Sequence, residues 1–475
     1  MIIDIEINGD HLMSNSFESI IQDNRIVGSY KQILPEDAAL LGAAVGTWLK
    51  NKATIAIARD FRIDSRMMKR AFTGGLMSTG VSALDFHGSP TPLLQFYIRR
   101  FGADAGVMFT SGHYEDDKTS IRIFDETGAE LTFKKLNEIL EIYKNKTIRR
   151  VSPAEMINIE DATGATDVYI EGIKNVIDRE SIANSNFKVV IDCALGPTSI
   201  VFPSILNDLN VEVIAINSFN PKIIPKSLPN SESLVSLAKT VIANDANLGV
   251  AFDVEGGRAV FCDEKGKLRS SDSVAAGLVS YIADRSLGDI ILSESISKNV
   301  DMMVEKMDKD GVKVIRVRDY PGAIASKIRE EGGIFGASDS GSFWAPAFTV
   351  DSDGMFIALK VLEVLSKLNQ PLSSYLDKMR LLPMKIKSIE VNNNLNNNLF
   401  AYLEEIVSYE KDLQFKYNID ILSGTKVVFT RGWVSVYASH QDSKIINLVA
   451  EADDDKVMNN ILKSVIDKIQ KFIAN

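Results

Sequence analysis

The stretch from Thr54 to Thr110 decides the fold. It sets three short apolar runs, Thr54-Ile-Ala-Ile-Ala58, Val81-Ser-Ala-Leu-Asp-Phe86 and Ala105-Gly-Val-Met-Phe-Thr110, around an amphipathic segment over residues 65–79 that ends near Gly80. Short runs of this kind suit buried strands, and the longer segment between the first two has the periodicity of a helix. Strand, helix, strand in this rhythm requires right-handed crossovers and predicts a mostly parallel sheet.

The unit recurs. Lys188-Val-Val-Ile-Asp192, a predicted helix over 199–209 and Val211-Glu-Val-Ile-Ala-Ile216 repeat it, closed by Leu248-Gly-Val-Ala-Phe-Asp253. A third copy runs through Asp289-Ile-Ile-Leu292, a helix over 298–307 and Val312-Lys-Val-Ile-Arg-Val317, with a long helix over 354–368 behind it. The C-terminal part changes character. Pro371, Pro383 and Asn392-Asn-Asn-Leu-Asn-Asn-Asn398 predict a linker or exposed loop. Beyond it the pattern predicts a helix over 399–409, strands over 426–430, 433–437 and 444–450 in an antiparallel sheet, and a terminal helix from Asp455. The expected fold class is therefore α/β: three similar mixed α/β domains at 1–150, 151–265 and 266–380, then a smaller α+β domain at 381–475.

Composition narrows the function. A chain of 475 residues, 45% hydrophobic and 24% charged, has the mix of a soluble globular protein, which excludes a disordered, collagen-like or coiled-coil chain. Lys and Arg number 53 against 63 Asp and Glu, a net charge of −10, the wrong sign for a general nucleic-acid binder or for anionic membranes. The two cysteines, Cys193 and Cys262, are too few for a disulfide framework or a zinc site and suit a reducing compartment. Met1-Ile-Ile-Asp-Ile-Glu6 lacks the basic region of a signal peptide, and no apolar run is long enough to span a bilayer. A cytoplasmic location is expected.

The segments between the elements are more specific. Ala58-Arg-Asp-Phe-Arg62 with Ser65, then Gly88-Ser-Pro-Thr-Pro92, then Leu248 to Asp253, then Asp351-Ser-Asp-Gly-Met-Phe-Ile-Ala-Leu-Lys360 follow one another along nearly the whole chain. In that order they resemble the G-R-D-x-R-x-S segment, the proline turn, the metal-loop strand and the D-G-D-G segment of the α-D-phosphohexomutase superfamily, which includes phosphoglucomutase and phosphomannomutase. The resemblance implies four domains around a cleft. It also implies transfer of phosphate between C1 and C6 of a hexose through a phosphoserine and a bisphosphorylated intermediate, with a hexose phosphate as ligand and Mg²⁺ as cofactor. Arg59, Arg62 and Arg258 fall at cleft positions.

The chemical loops depart from that family. Its phosphoserine loop reads T-A-S-H-N-P, whereas this chain has Thr110-Ser-Gly-His-Tyr-Glu115, with Gly112 at the nucleophile's place and His113 retained. Glycine carries no oxygen to phosphorylate, and Ser111, one residue earlier, substitutes only if the loop shifts register. Arg122 stands at the lysine of N-G-I-K; it keeps the charge, is a poor proton donor near neutral pH, and suits a phosphate, a carboxylate or a surface salt bridge. The metal loop D-G-D-G-D-R becomes Asp253-Val-Glu-Gly-Gly-Arg258. Asp253 and Glu255 remain, Gly257 replaces the third acid, and Val254 in place of a glycine predicts an altered backbone. That set is weak for Mg²⁺, which demands a near-octahedral oxygen shell.

In the sugar loop, Ser338 replaces the family's glutamate and Ser342 its histidine, around a retained Ser340-Gly341, with Trp344 nearby. Serines bond hydroxyls with less reach and no charge. The phosphate loop R-P-S-G-T-E-P becomes Tyr437-Ala-Ser-His-Gln-Asp-Ser443, leaving Ser439, His440 and Lys444 as donors, with Asn447 where a further arginine falls. Arg25-Ile-Val-Gly28 likewise departs from D-I-R-G. The implied protein is phosphoglucomutase/phosphomannomutase-like and impaired or inactive as a mutase. It binds a sugar, a sugar phosphate or a partner protein, as a homo-oligomer or beside an active relative. The alternative is an active phosphohexomutase using Ser111 and Mg²⁺.

Overall fold

The computed structural model describes residues 20–22, 25–29, 31–49, 52–111, 118–162, 164–218, 229, 231–293, 296–317, 322–379, 382–390, 413–419, 424–438 and 445–474. In the first sheet the strand Thr54–Arg59 pairs in parallel with Ser82–Gly88 on one side and Ala105–Thr110 on the other. Lys118–Phe124 and Arg25–Ser29 extend the sheet antiparallel, and the short Ile159–Asp161 closes its far edge.

Alternation explains how this sheet is covered. Ile55, Ile57, Val107 and Phe109 point into a core with Met68, Phe72 and Leu76 of the helix Ile63–Met77 and Leu41 and Val45 of Pro35–Trp48. The intervening Ala56, Ala58, Gly106 and Met108 are equally buried, and Ile98 of the helix Thr91–Phe101 comes down on Gly106. Both faces are covered, so the strands read as unbroken apolar runs.

Helices Pro35–Trp48 and Ile63–Met77 approach backbone to backbone through Gly42 and Gly75. A Cβ on Gly75 would lie 1.7 Å from the Ala39 carbonyl oxygen, and one on Gly42 would lie 2.0 Å from that of Phe72. Neither backbone has room to give. Gly75→Ala is expected to lose about 3 kcal/mol or more of unfolding free energy, the upper end for overpacking. Urea denaturation checks this; a variant within about 0.5 kcal/mol of wild type would contradict the close approach.

The second sheet carries Lys188–Asp192 between Glu212–Ile216 and Leu248–Phe252, all parallel, with Ala259–Asp263 turning back antiparallel. By chain contacts, residues 1–270, 333–336 and 340–375 form one compact unit, and 271–332, 337–339 and 376–475 a second. In the second unit Ile290–Ser293 pairs in parallel with Val314–Val317, the helix Ala323–Glu331 packs on both strands, and helices Ser271–Arg285 and Asn299–Met307 pack on each other.

The C-terminal sheet is antiparallel, as expected, but among the described residues it has five strands rather than three. Its order is Met384–Glu390, Ile445–Ala452, Gly432–Ala438, Gly424–Phe429 and Leu413–Ile419. The helix Asp455–Ala474 lays Met458, Leu462, Val465 and Ile469, one helical stripe, over Val434, Val436, Leu448 and Ala450. The helix expected over 399–409 and the Asn-rich run lie outside the described residues. Among the described residues no helix is long and apolar enough to cross a membrane.

Candidate functional site

The acidic loop follows the strand Leu248–Phe252. It closes as a tight turn in which the Gly256 N–H donates to the Asp253 carbonyl at 3.1 Å, and Gly256 takes a φ of +76°. Val254 is fully buried and is not among the residues with positive φ; the left-handed position of the turn falls on Gly256. Two neighbours hold the turn. The Thr91 N–H donates to the Glu255 carbonyl, and the Gly354 N–H to that of Gly256, each at 3.0 Å. The sugar-loop segment lies beside it: the Ala259 N–H donates to the Gly341 carbonyl at 2.9 Å, Arg258 bridges Ser342, and the Ser340 hydroxyl reaches the Ser342 hydroxyl at 3.2 Å.

Into this loop comes Arg122 from the strand Lys118–Phe124, where it faces Met108 across the antiparallel pair. Its Nη1 donates to Glu255 Oε2, its Nε to Glu130 Oε1 at 3.0 Å, and its Nη2 lies 4.0 Å from Asp351 Oδ2. Glu130 is also forked by Arg25, from Nε at 2.5 Å and Nη2 at 2.9 Å. Asp351 in turn accepts from Gln95 Nε2 at 3.2 Å and Trp344 Nε1 at 2.8 Å. The side chains of Arg122, Glu130 and Glu255 are at most 8% exposed, so the surface salt bridge allowed for Arg122 is not what forms. A buried ionic network stands there instead.

The network sets its own electrostatics. Burial pushes the Glu130 carboxyl up, but the Arg122 and Arg25 charges outweigh it and hold it at about 2. For Arg122, burial and Arg25 push down while Glu130 and Glu255 push up, and the net direction is up. Asp253 has less relief: burial and the Glu255 charge raise it to about 6, against the pull of Arg258 and Arg122.

The sign of the Glu130 shift yields a test. Its native value lies below that of the unfolded chain, so its stabilisation is complete above about pH 4.5 and is lost as the pH falls toward about 2, on the order of 3 kcal/mol in all. Glu130→Gln should be less stable at pH 7 and lose less on acidification. Unfolding curves at pH 7 and pH 3 check this, and parallel losses in both proteins would contradict it.

Two other sequence candidates, Arg59 and Arg62, bond to the backbone and side chains of the first domain. Arg59 Nη1 donates to the Asp60 carbonyl at 2.6 Å, while Arg62 pairs with Asp64 at 2.8 Å and donates to the Lys118 carbonyl at 2.8 Å. Ser111 follows the strand Ala105–Thr110 with its N–H on Asp60 Oδ2 at 2.9 Å, and its buried hydroxyl has no partner among the described residues. Ser338 is buried just after the strand Phe335–Ala337. Tyr437 lies on the strand Gly432–Ala438 opposite Gly424 and Asn447. Gly112, His113, Ser439, His440 and Lys444 fall outside the described residues.

The structure thus gathers Arg122, Asp253, Glu255, Arg258, Ser340 and Ser342, with Gly257 in the same loop. It adds Arg25, Glu130, Asp351 and Gln95, which sequence reasoning did not single out as site residues.

The donor set does not fit Mg²⁺. Glu255 Oε2 is taken by a guanidinium, Asp253 Oδ1 accepts the Arg258 N–H at 3.2 Å, and Gly257 supplies no side-chain oxygen. Among the described residues no three acidic, histidine or cysteine side chains gather around one point. A cation on these carboxylates would sit beside the Arg122 charge, and two unit charges about 4 Å apart repel by about 4 kcal/mol at an effective dielectric of 20.

A doubly covered α/β sheet, two further α/β units and an acidic turn locked between a proline turn and a D-x-D-G helix start define a phosphohexomutase architecture. Three family models match in succession: the phosphoglucomutase/phosphomannomutase alpha/beta/alpha domain I over residues 22–150, domain II over 167–266 and domain III over 270–381. The chain belongs to the α-D-phosphohexomutase superfamily. It is 28% identical over 451 residues to a phosphoglucomutase/phosphomannomutase of Thermococcus kodakarensis, covering 93% of this chain and 96% of the relative. It is 30% identical over 388 residues to a probable phosphoglucosamine mutase of Pyrococcus abyssi, covering 79% and 84%. In fold it is similar to the crystal structure of a phosphoglucomutase/phosphomannomutase family protein from Burkholderia thailandensis, with a TM-score of 0.78 at 19% identity and coverage of 97% and 98%.

Proposed function

We propose that this protein binds a hexose phosphate, or an active relative, and is impaired or inactive as a mutase. Gly112 carries the reading: the position that holds phosphate in the family's mechanism has no hydroxyl to phosphorylate. The Arg122–Glu255 pair supports it, since a guanidinium that stays charged makes a poor proton shuttle where the family has lysine. Ser338, Ser340 and Ser342 are the proposed sugar contacts, and Tyr437, Ser439, His440 and Lys444 the proposed phosphate contacts. The same reading divides the chain at residues 150, 265 and 380 and assigns it to the cytoplasm, without nucleic-acid or membrane partners.

A second reading, an active mutase using Ser111, is favoured by one observation: the Ser111 hydroxyl is buried and has no partner among the described residues. Coupled assays with glucose 1-phosphate and mannose 1-phosphate separate the two. No turnover above a blank is expected, together with saturable thermal stabilisation by a hexose phosphate. Turnover that disappears in Ser111→Ala would establish the second reading instead.

A further inference from the structure

We propose that Arg122 is the resident cation of the acidic loop, and that this cleft is built to work without a divalent metal. The inference goes beyond the loss of the nucleophile and rests on different residues. Arg122 comes from the first sheet and Glu255 from the turn after a strand of the second, yet the guanidinium and the carboxylate are directly bonded. Its placement is fixed from behind. Glu130 takes its Nε at 3.0 Å, Arg25 anchors Glu130 in turn, and the guanidinium carbon lies 5.3 Å from the centre of the Phe124 ring. A side chain held at so many points is not a loose surface arginine that swings aside for an incoming ion.

Charge points the same way. The guanidiniums of Arg25, Arg122 and Arg258 stand among the carboxylates of Glu130, Asp253, Glu255 and Asp351, which leaves one negative charge in the cluster. A divalent ion would overshoot it and would lie against a guanidinium that cannot be deprotonated.

Space is not what removed the third acid. A Cβ on Gly257 would meet only ordinary contacts, with Ser352 Oγ at 3.5 Å and the Ser352 carbonyl oxygen at 3.8 Å. A side chain can therefore begin there without a backbone clash. Glu255 Oε1, buried and without a partner among the described residues, is left to accept from a neutral donor, a water or a ligand hydroxyl.

The test uses the full chain, stripped with EDTA, then titrated with Mg²⁺ by calorimetry and with Mn²⁺ by electron paramagnetic resonance. No saturable site is expected through the millimolar range, and Tm should be indifferent to either ion. A stoichiometric site that vanishes in Glu255→Gln would overturn the proposal. The converse variant, Arg122→Ala with Gly257→Asp, is expected to gain one Mg²⁺ site and a Tm that rises with the metal. A folded double variant indifferent to metal would overturn the proposal equally. Should that variant not fold, the wild-type titration decides the question by itself. Because neither readout is turnover, the proposal and the mutase-impaired reading fail separately.

Discussion

Arg122→Ala is expected to lose about 3–5 kcal/mol of unfolding free energy, the cost of breaking a buried ion pair from one side. The reason lies less in the bonds removed than in what they leave. Glu255 Oε2 would be left with only the Thr91 hydroxyl at 3.5 Å, its other oxygen has no partner among the described residues, and Glu130 would be left to Arg25 alone. Uncompensated buried carboxylates are among the few features that make a single substitution severe. Arg122→Lys should lie between the two proteins, because an ammonium keeps the charge but cannot present the fork that spans Glu130 and Glu255. Urea unfolding at pH 7 measures all three. A loss below about 1 kcal/mol for the alanine variant, strongly reduced by salt, would mark an exposed pair and contradict the network.

The second large effect is a failure to gain. Gly112→Ser restores the missing hydroxyl, but turnover on glucose 1-phosphate should stay at the blank. Mutase chemistry needs its parts together, and removing one member of a catalytic set costs nearly as much as removing several. With serine at 112, Arg122 would still replace the lysine, Gly257 the third acid, Ser338 the sugar-gripping glutamate and Tyr437 the phosphate-gripping arginine. Continuous coupled assays check this. Recovery to the rate of an active mutase from that one change would show that the other loops are intact in function.

The elements most legible in the sequence are those whose burial is uniform. Ala105–Thr110, Lys188–Asp192 and Gly354–Leu368 form where the apolar runs place them, because strands covered on both faces and a helix buried along its length leave an unmistakable pattern. Met384–Glu390 and Leu413–Ile419 escaped notice. Lys385 and Lys387 break up the apolar run in the first, Lys416 and Asn418 do so in the second, and the Asn-rich run between them reads as loop. The helix Ile63–Met77 begins before its expected start because its N-cap residue, Arg62, makes no side-chain cap and offers no boundary signal.

The site was legible as departures from a family pattern, not as geometry. Arg122 stood out, but its partners lie 8 and 133 residues away, and Arg25 reaches Glu130 across 105. No local spacing rule connects such positions; only the packed sheets bring them together. In the acidic turn the left-handed residue is 256, where glycine was kept.

The most direct measurement is the intact mass of the purified protein after incubation with glucose 1,6-bisphosphate. An unchanged mass is predicted, since no oxygen stands at residue 112 to receive the phosphoryl group. A stable gain of one phosphate, mapped to Ser111 by peptide sequencing, would contradict it.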